Sequence, residues 1–405
     1  MAWLGAHIEL HFWADAIPPP TEDPWYTPPT GYENEAPGTI LRVRETLGNL
    51  SSRAVNCAGA YNILYRTTDS FYKPSWAVTT LFIPSTPVQA LLSYQIPYDS
   101  AYANDAPSYT MNHGPLPPDI ASSLTKGWFI NVPDYEGLLV SFTAGVMSGH
   151  ATLDSIRAAL SESRKYGLNS SARYAMWGYS GGALASEWAA ELQVGYAPEL
   201  NFAGAALGGL TPNITNVLLT TNSGYGSYLI PPGFLGLTSQ VPEARAALVS
   251  QLHTSGPYNA TTFLSSLNMT SSENVITFGG RDISLYFDGG FGPVLDLLAS
   301  TVINRDGLMG YHGVPQMPIY AYKAVADLIS PIADTDTLLG GFCDLGVNIL
   351  YERNHIGGHA ADSQNGAPAA AAWLTAVLDG TYSSKYSPVG CTFRDISVGP
   401  NFSPN

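Results

Sequence analysis

Cations are scarce in this chain: of 405 residues only 17 are Lys or Arg, against 32 Asp or Glu, leaving a net charge of −15 and an isoelectric point near 4.8. Such a balance excludes nucleic acid or an anionic membrane surface as an electrostatically recruited partner. Cysteine is scarcer still. Cys57, Cys343 and Cys391 are the three present, too few for a disulfide scaffold and without metal-ligand spacing, so one bridge and one leftover thiol is the simplest count. No apolar run reaches the roughly 18 residues that a membrane-spanning helix requires, and no repeat of about 20 to 50 residues is visible. His7 and His11 flank Glu9, but not as His-Glu-x-x-His, so no zinc site is predicted, and no other metal or cofactor.

Charged residues are 12% of the chain and hydrophobic ones 45%, with 24 Tyr, 40 Gly and 30 Pro. A large core can be buried, and at this length two units, or one domain with a sizeable insertion, are expected. The composition resembles that of extracellular hydrolases. Residues 1–16 end in Ala14-Asp15-Ala16 without a basic start, which reads as a truncated or degenerate signal remnant. Sequons at Asn49, Asn169, Asn213, Asn259, Asn268 and Asn401 favour the secretory route and hence a secreted protein. A monomer is expected.

The most informative stretch is Ala172-Arg173-Tyr174-Ala175-Met176-Trp177-Gly178-Tyr179-Ser180-Gly181-Gly182-Ala183-Leu184. Its first half is short, apolar and aromatic, as a buried strand is; its second half opens an Ala-rich helix with Leu184, Trp188 and Leu192 at fourfold spacing. Between them lies a Gly-x-Ser-x-Gly turn. There Gly178 and Gly182 let strand and helix pass closely, and the hydroxyl of Ser180 is raised above the sheet. The helix begins at the serine, so its unpaired N–H groups, Gly181 first, point where an oxyanion would form.

Around this turn the chain alternates strand and helix. Ala60 to Thr67, Trp76 to Pro84, Gln89 to Gln95 and Gly127 to Val132 read as strands. An amphipathic helix is predicted from Ala151 to Tyr166, with Leu153, Ile156 and Leu160 on one side and charges on the other. Phe202 to Gly208 follows as a strand, and the rhythm resumes with strands at Met317 to Val325 and Val347 to Glu352 and a helix at Ala367 to Leu378. This predicts an α/β fold with a mostly parallel, doubly wound sheet. The rhythm breaks between 210 and 316, where Gly- and Pro-punctuated apolar stretches alternate with helix-like segments at Val241 to His253 and Val294 to Val302. We read residues 38–209 and 317–405 as the core, 210–316 as a cap inserted over the sheet's carboxyl edge, and 1–37 as an N-terminal segment whose Pro-rich part, with Trp25, Tyr26 and Tyr32, lies along the body.

Acyl transfer on a serine needs a base for the hydroxyl proton and an acid to hold that base in the right tautomer. Asp327, just past one strand, and His359, in Gly357-Gly358-His359 after the next, meet the order Ser, Asp, His expected on an α/β-hydrolase sheet. Asp334 and Asp336 are rivals for the acid but suit the cap of a following helix. His355 is a rival for the base, set in a charged loop without glycine.

The chain resembles the fungal secretory lipase family, of the Candida antarctica lipase A type. The likeness is densest in Ile63-Leu64-Tyr65-Arg66-Thr67-Thr68-Asp69-Ser70, Ser93-Tyr94-Gln95-Ile96-Pro97-Tyr98-Asp99-Ser100, Val132-Pro133-Asp134-Tyr135-Glu136-Gly137 and Gly178-Tyr179-Ser180-Gly181-Gly182, and extends through Gly358-His359 to Gly366-Ala367-Pro368-Ala369-Ala370. The resemblance implies an α/β-hydrolase fold with a mostly helical cap, Ser180 as nucleophile, Asp327 as acid, His359 as base, backbone N–H groups of Asp99 and Gly181 as oxyanion donors, and a Cys343 to Cys391 bridge. It implies carboxylic esters as substrates, triacylglycerols first, at an oil-water interface. A short-chain esterase, for example a deacetylase of small secondary metabolites, is the alternative; a non-catalytic binding protein on the same scaffold is a third. One departure stands out. Asp105 replaces a cysteine that members often pair with one in the cap, and no cap cysteine is present, which predicts a looser cap and leaves Cys57 without an obvious mate.

Overall fold

The computed structural model describes residues 17–400; the signal remnant, the His7/His11 pair and the Asn401 sequon lie outside the described residues. Ten strands form one sheet: β1 (Ile40–Glu45), β2 (Cys57–Thr68), β3 (Pro74–Pro84), β4 (Ala90–Gln95), β5 (Phe129–Pro133), β6 (Arg173–Tyr179), β7 (Gly204–Gly208), β8 (Ile319–Ala324), β9 (Ile349–Asn354) and β10 (Cys391–Ile396). Their spatial order is β1-β2-β3-β5-β4-β6-β7-β8-β9-β10. Pairing is antiparallel from β1 to β5 and parallel from β5 to β10. This is the α/β-hydrolase fold, and β6 lies in the middle of it, between β4 and β7.

Alternation along β6 builds the two cores. Met176 packs with Leu153, Ile156 and Trp188 on one face, while its neighbours Ala175 and Trp177 face Trp128, Tyr320 and Trp373 on the other. The helix Gly181–Tyr196 and the helix Gly145–Ser163 cover the first face. The helix Ala367–Leu378 covers the second, with the bounds that its apolar run predicts.

The helix expected at Ala151 to Tyr166 begins six residues earlier and is not amphipathic: nearly every residue of Gly145–Ser163 is buried, Asp154 and Glu162 included. Small residues explain the difference. A Cβ at Gly145 would come within 1.9 Å of the Trp188 ring, and one at Gly149 within 2.8 Å of Leu192, so this helix packs hard against Gly181–Tyr196 where a larger residue would hold them apart. Asp154 tolerates burial because Thr67, Tyr196 and Arg157 each donate to its carboxylate at 2.7 Å.

Two edge strands escaped the sequence reading. β1 and β10 carry Arg42, Arg44, Arg394 and Asp395, charges that suit a sheet edge and dilute its apolar signal. In the cap region, residues 210–316 add no strand to the sheet. Tyr228 to Leu235 runs into the helix Ile230–Leu237, whose first turn takes Pro231 and Pro232 where a missing N–H costs nothing. The N-terminal arm lies against the body as expected: Tyr26 is buried, its carbonyl accepts from Trp76 Nε1 at 3.1 Å, and Arg44 pairs with Asp23 at 2.6 Å beneath the Trp25 ring.

Cys343 and Cys391 form a disulfide across 48 residues, tying the end of the helix Ile332–Asp344 to the first residue of β10, and Cys57 is a free thiol. A loop of that length is worth roughly 4 kcal/mol by chain entropy. Cys391→Ser is therefore expected to lower the unfolding free energy by about 3 to 4 kcal/mol in urea titrations, whereas a loss below about 1 kcal/mol would mean that the oxidised and reduced unfolded chains differ little.

Candidate active site

Ser180 occupies the joint between β6 and the helix Gly181–Tyr196 with φ 54° and ψ −122°. A serine in that region is strained by about 1 to 3 kcal/mol and persists only where its surroundings fix it. Three contacts do so. Its N–H donates to the Gly208 carbonyl on β7 at 2.9 Å; a Cβ on Gly178 would stand 2.1 Å from the Gly182 oxygen, and one on Gly182 2.0 Å from the Gln95 oxygen. The glycines are thus required by the close passage of backbone on backbone that the sequence pattern predicts.

His359 opens the helix His359–Asn365, after Gly357 in a left-handed turn at φ 87°. Its Nε2 lies 2.8 Å from Ser180 Oγ and its Nδ1 2.7 Å from Asp327 Oδ2. With Asp327 ionised, Nδ1 carries the proton and Nε2 is free to accept one. Tyr179, the residue before the serine, donates its hydroxyl to the His359 carbonyl at 2.6 Å, so the same strand end holds Ser180 and the His359 backbone together. Nothing in the sequence pattern marked Tyr179 for that work.

Asp327 follows β8 and is almost wholly buried. Its Oδ1 accepts the N–H groups of Ile329 and Ser330 at 2.8 and 3.0 Å, and Oδ2 accepts from His359 and, at 3.0 Å, from Lys323 Nζ. Burial alone would push this carboxyl up; the His359 hydrogen bond, the Lys323 and imidazole charges and the Ser330 N–H outweigh it and hold Asp327 well below the usual carboxylate range. Lys323 itself is buried on β8, which pulls its ammonium below the ordinary lysine value, with Asp327 opposing the shift.

The rivals do not converge on the serine. Asp334 sits in the first turn of the helix Ile332–Asp344, which Pro331 caps, and accepts from Asn216 at 2.9 Å; Asp336, further along, faces Arg353 at 3.5 Å. Neither is the N-cap. His355 is half exposed, 3.2 Å from Asp395.

Gly181 heads its helix, so its N–H has no intrahelical acceptor. Asp99, just past β4, takes a left-handed backbone at φ 46°, and its carboxylate lies over the same helix end: a Cβ at Gly181 would meet Asp99 Oδ1 at 2.8 Å. The sequence reading gave Asp99 only a backbone role. Burial pushes its carboxyl up to about 6, against the pull of the His359 imidazole, so the side chain exchanges its proton close to neutrality. Below the loop, Ser108 donates both N–H and hydroxyl to Asp134, at 2.8 and 2.6 Å, and the Glu136 N–H donates to Tyr98 Oη at 2.9 Å.

Hydrogen bonds join residues 210–316 to the loop after β4 at the point where the cysteine pair is missing. Asp105 Oδ2 accepts the N–H of Ser271, first residue of the cap helix Ser271–Phe278, at 2.7 Å, and Ser100 Oγ donates to the Met269 carbonyl at 3.1 Å. A carboxylate at a helix N-terminus is a favourable pairing, and it stands where the family places a cysteine.

Two cavities meet at Ser180. One, of about 1400 Å³, opens over His359 and is walled by Tyr94, Tyr179, Tyr225, Tyr228 and Leu328. The other, of about 30 Å³, lies on the Gly181 side between Phe142, Leu184, Ile214, Leu218 and Ile329. Among the described residues, no cluster of three or more His, Cys, Asp or Glu is arranged to hold a metal ion.

An α/β-hydrolase sheet whose central strand ends in a strained serine, with imidazole and carboxylate in hydrogen-bonded series behind it, defines a serine carboxylic-ester hydrolase. The chain belongs to the secretory lipase family, which matches residues 118–385. It is 46% identical to the trichothecene C-3 esterase of Fusarium sporotrichioides over 98% of this chain and 92% of that one. It is 38% identical to lipase A of Arthroderma benhamiae over 90% of this chain and 81% of that one. Among solved structures it is similar to Candida antarctica lipase A in its closed state, with a TM-score of 0.83 at 26% identity, covering 96% of this chain and 92% of the other. No helix among the described residues is long and apolar enough to cross a membrane.

Proposed function

We propose that this hydrolase removes a short acyl group, acetyl first, from a bulky, ring-rich alcohol. The observation that carries this reading is the inequality of the two cavities at Ser180, about 30 Å³ against about 1400 Å³. A space of about 30 Å³ is that of one small group; it suits the methyl of an acetyl and not a long acyl tail. The wide, tyrosine-walled side suits a rigid polycyclic alcohol, and the relation to a trichothecene C-3 esterase supports the same class.

In this reading Ser180 Oγ attacks the ester carbonyl while His359 Nε2 takes the hydroxyl proton, and the electron pair of the C=O goes to an oxyanion held by the N–H groups of Asp99 and Gly181. The C–O bond to the alcohol breaks, and His359 returns the proton to the departing alkoxide. Water then attacks the acyl-Ser180 ester by the same route and releases the carboxylic acid. Asp327 orients the imidazole and balances its charge. Residues 38–209 and 317–405 act as the catalytic body and 210–316 as its cap, in a secreted, monomeric protein for which the sequons and the family's secretory character speak.

The test is a series of esters of one alcohol with acyl chains of two to eighteen carbons, beside trioleate and an acetylated polycyclic alcohol. kcat/KM is expected to fall by about five- to 150-fold beyond four carbons, since forcing extra methylenes into a filled space costs about 1 to 3 kcal/mol. Equal or rising rates out to oleate would return the assignment to triacylglycerols.

A further inference from the structure

The buried ammonium of Lys323 is a charge that acyl transfer does not use, placed against the group that orients the base. Its Nζ donates to Asp327 Oδ2 at 3.0 Å and to the Leu210 carbonyl at 2.6 Å, and its side chain is about 1% exposed. Oδ2 is also the oxygen that accepts from His359 Nδ1. With two N–H groups on Oδ1, four donors share one carboxylate, about the number it can accept. Leu210 precedes Thr211, which lines the small cavity beside Ser180. A buried lysine is expensive unless paired, and a neutral residue of the same length would fill the space without that penalty.

We infer that Lys323 is a positioning residue that sets the working pH range of the triad: it fixes Asp327 in register with the imidazole and offsets part of its negative charge. The effect is electrostatic. An uncompensated carboxylate beside an imidazole favours the imidazolium, and a cation on the same oxygen weakens that preference. The other charged groups facing the triad are Asp99, just past β4, whose carboxyl interacts with the imidazole, Asp362, on the helix His359–Asn365, and Asp334, on the helix Ile332–Asp344; Asp99 is common to wild type and variant, so it does not account for a displacement between them. Asp362 accepts from Asn354 at 2.8 Å and Asp334 from Asn216, so their hydrogen bonds go elsewhere and Lys323 is the cation that meets Asp327. Through Leu210 it also links the triad acid to the point where the chain leaves the sheet for residues 210–316.

This inference rests on the triad reading but not on any substrate, and the experiment keeps the two apart. The rate at which a fluorophosphonate probe labels Ser180 is followed from pH 4 to 9 in the wild-type protein and in Lys323→Met. The acid limb of the variant is expected to move to higher pH by about one unit, with a lower plateau. Should Lys323→Met not fold, as judged by circular dichroism and melting, Lys323→Gln keeps a donor towards Asp327 and Leu210 without the charge and is expected to show the same displacement. A folded variant whose plateau drops while its acid limb stays in place overturns the proposal, because a merely structural lysine would do that. A wild-type protein that the probe does not label overturns the triad reading and this one with it.

Discussion

Ser180→Ala is expected to lower kcat/KM by about four to six orders of magnitude while leaving the melting temperature within a few degrees of wild type or slightly raised. The large kinetic loss follows because the Ser180 hydroxyl is the oxygen that His359 Nε2 meets at the strand end, and on this reading the acyl-enzyme cannot form without it. Stability is spared because, among the described residues, that hydroxyl makes no hydrogen bond beyond the one to His359, while the backbone strain at φ 54° remains for either side chain. Turnover of the acetyl ester by the purified variant, with mass spectrometry to exclude reversion, is the measurement. Residual activity within tenfold of wild type would move the chemistry away from the elbow.

The second large effect is expected at Asp327. Asp327→Asn keeps the shape but replaces an acceptor-only carboxylate with an amide that offers two hydrogens. Oδ2 accepts from both His359 Nδ1 and Lys323 Nζ, and Oδ1 from the N–H groups of Ile329 and Ser330; in the variant the amide NH2 faces two donors whichever way it is turned. The imidazole then loses the tautomer that leaves Nε2 free, and a loss of about four orders of magnitude in kcat is expected, the size found for the equivalent change in serine proteases. The sign of the pH dependence follows from the wild-type environment. Because Asp327 is held well below the usual carboxylate range, it stays ionised through weakly acidic solution, so any loss of wild-type activity there does not come from neutralising this acid. Asp327→Ala is expected to lose as much activity but also stability, since it leaves Lys323 buried without a counter-charge.

Fold and site were legible in the sequence to different depths. The elbow could be read because its chemistry forces local composition: close passage demands glycine at 178 and 182, and the parallel central strands demand short apolar runs. Asp327 and His359 could be placed because each follows a strand. The edge strands β1 and β10 could not, since solvent-facing charge at an edge looks like loop. Nor could the burial of Gly145–Ser163, where the charges that suggest a wet face are taken up by partners distant in sequence, such as Thr67 and Tyr196 for Asp154. Lys323 was hidden for the same reason: a lysine in a strand reads as an exposed residue until the carboxylate four positions on is seen to share its interior. The unequal cavities arise where Phe142, Ile214 and Ile329, far apart in the chain, crowd one side of the serine.

The bond between Asp105 and Ser271 has a consequence for how the molecule can breathe. Where a sulfur crosslink would make the join permanent until reduced, a carboxylate on an amide N–H can part and re-form unaided, indifferent to thiols in the medium. Ser100 and Asp105, which make the two hydrogen bonds to Met269 and Ser271, both follow Asp99 within six residues, so each such parting reaches the segment next to the loop beside Ser180.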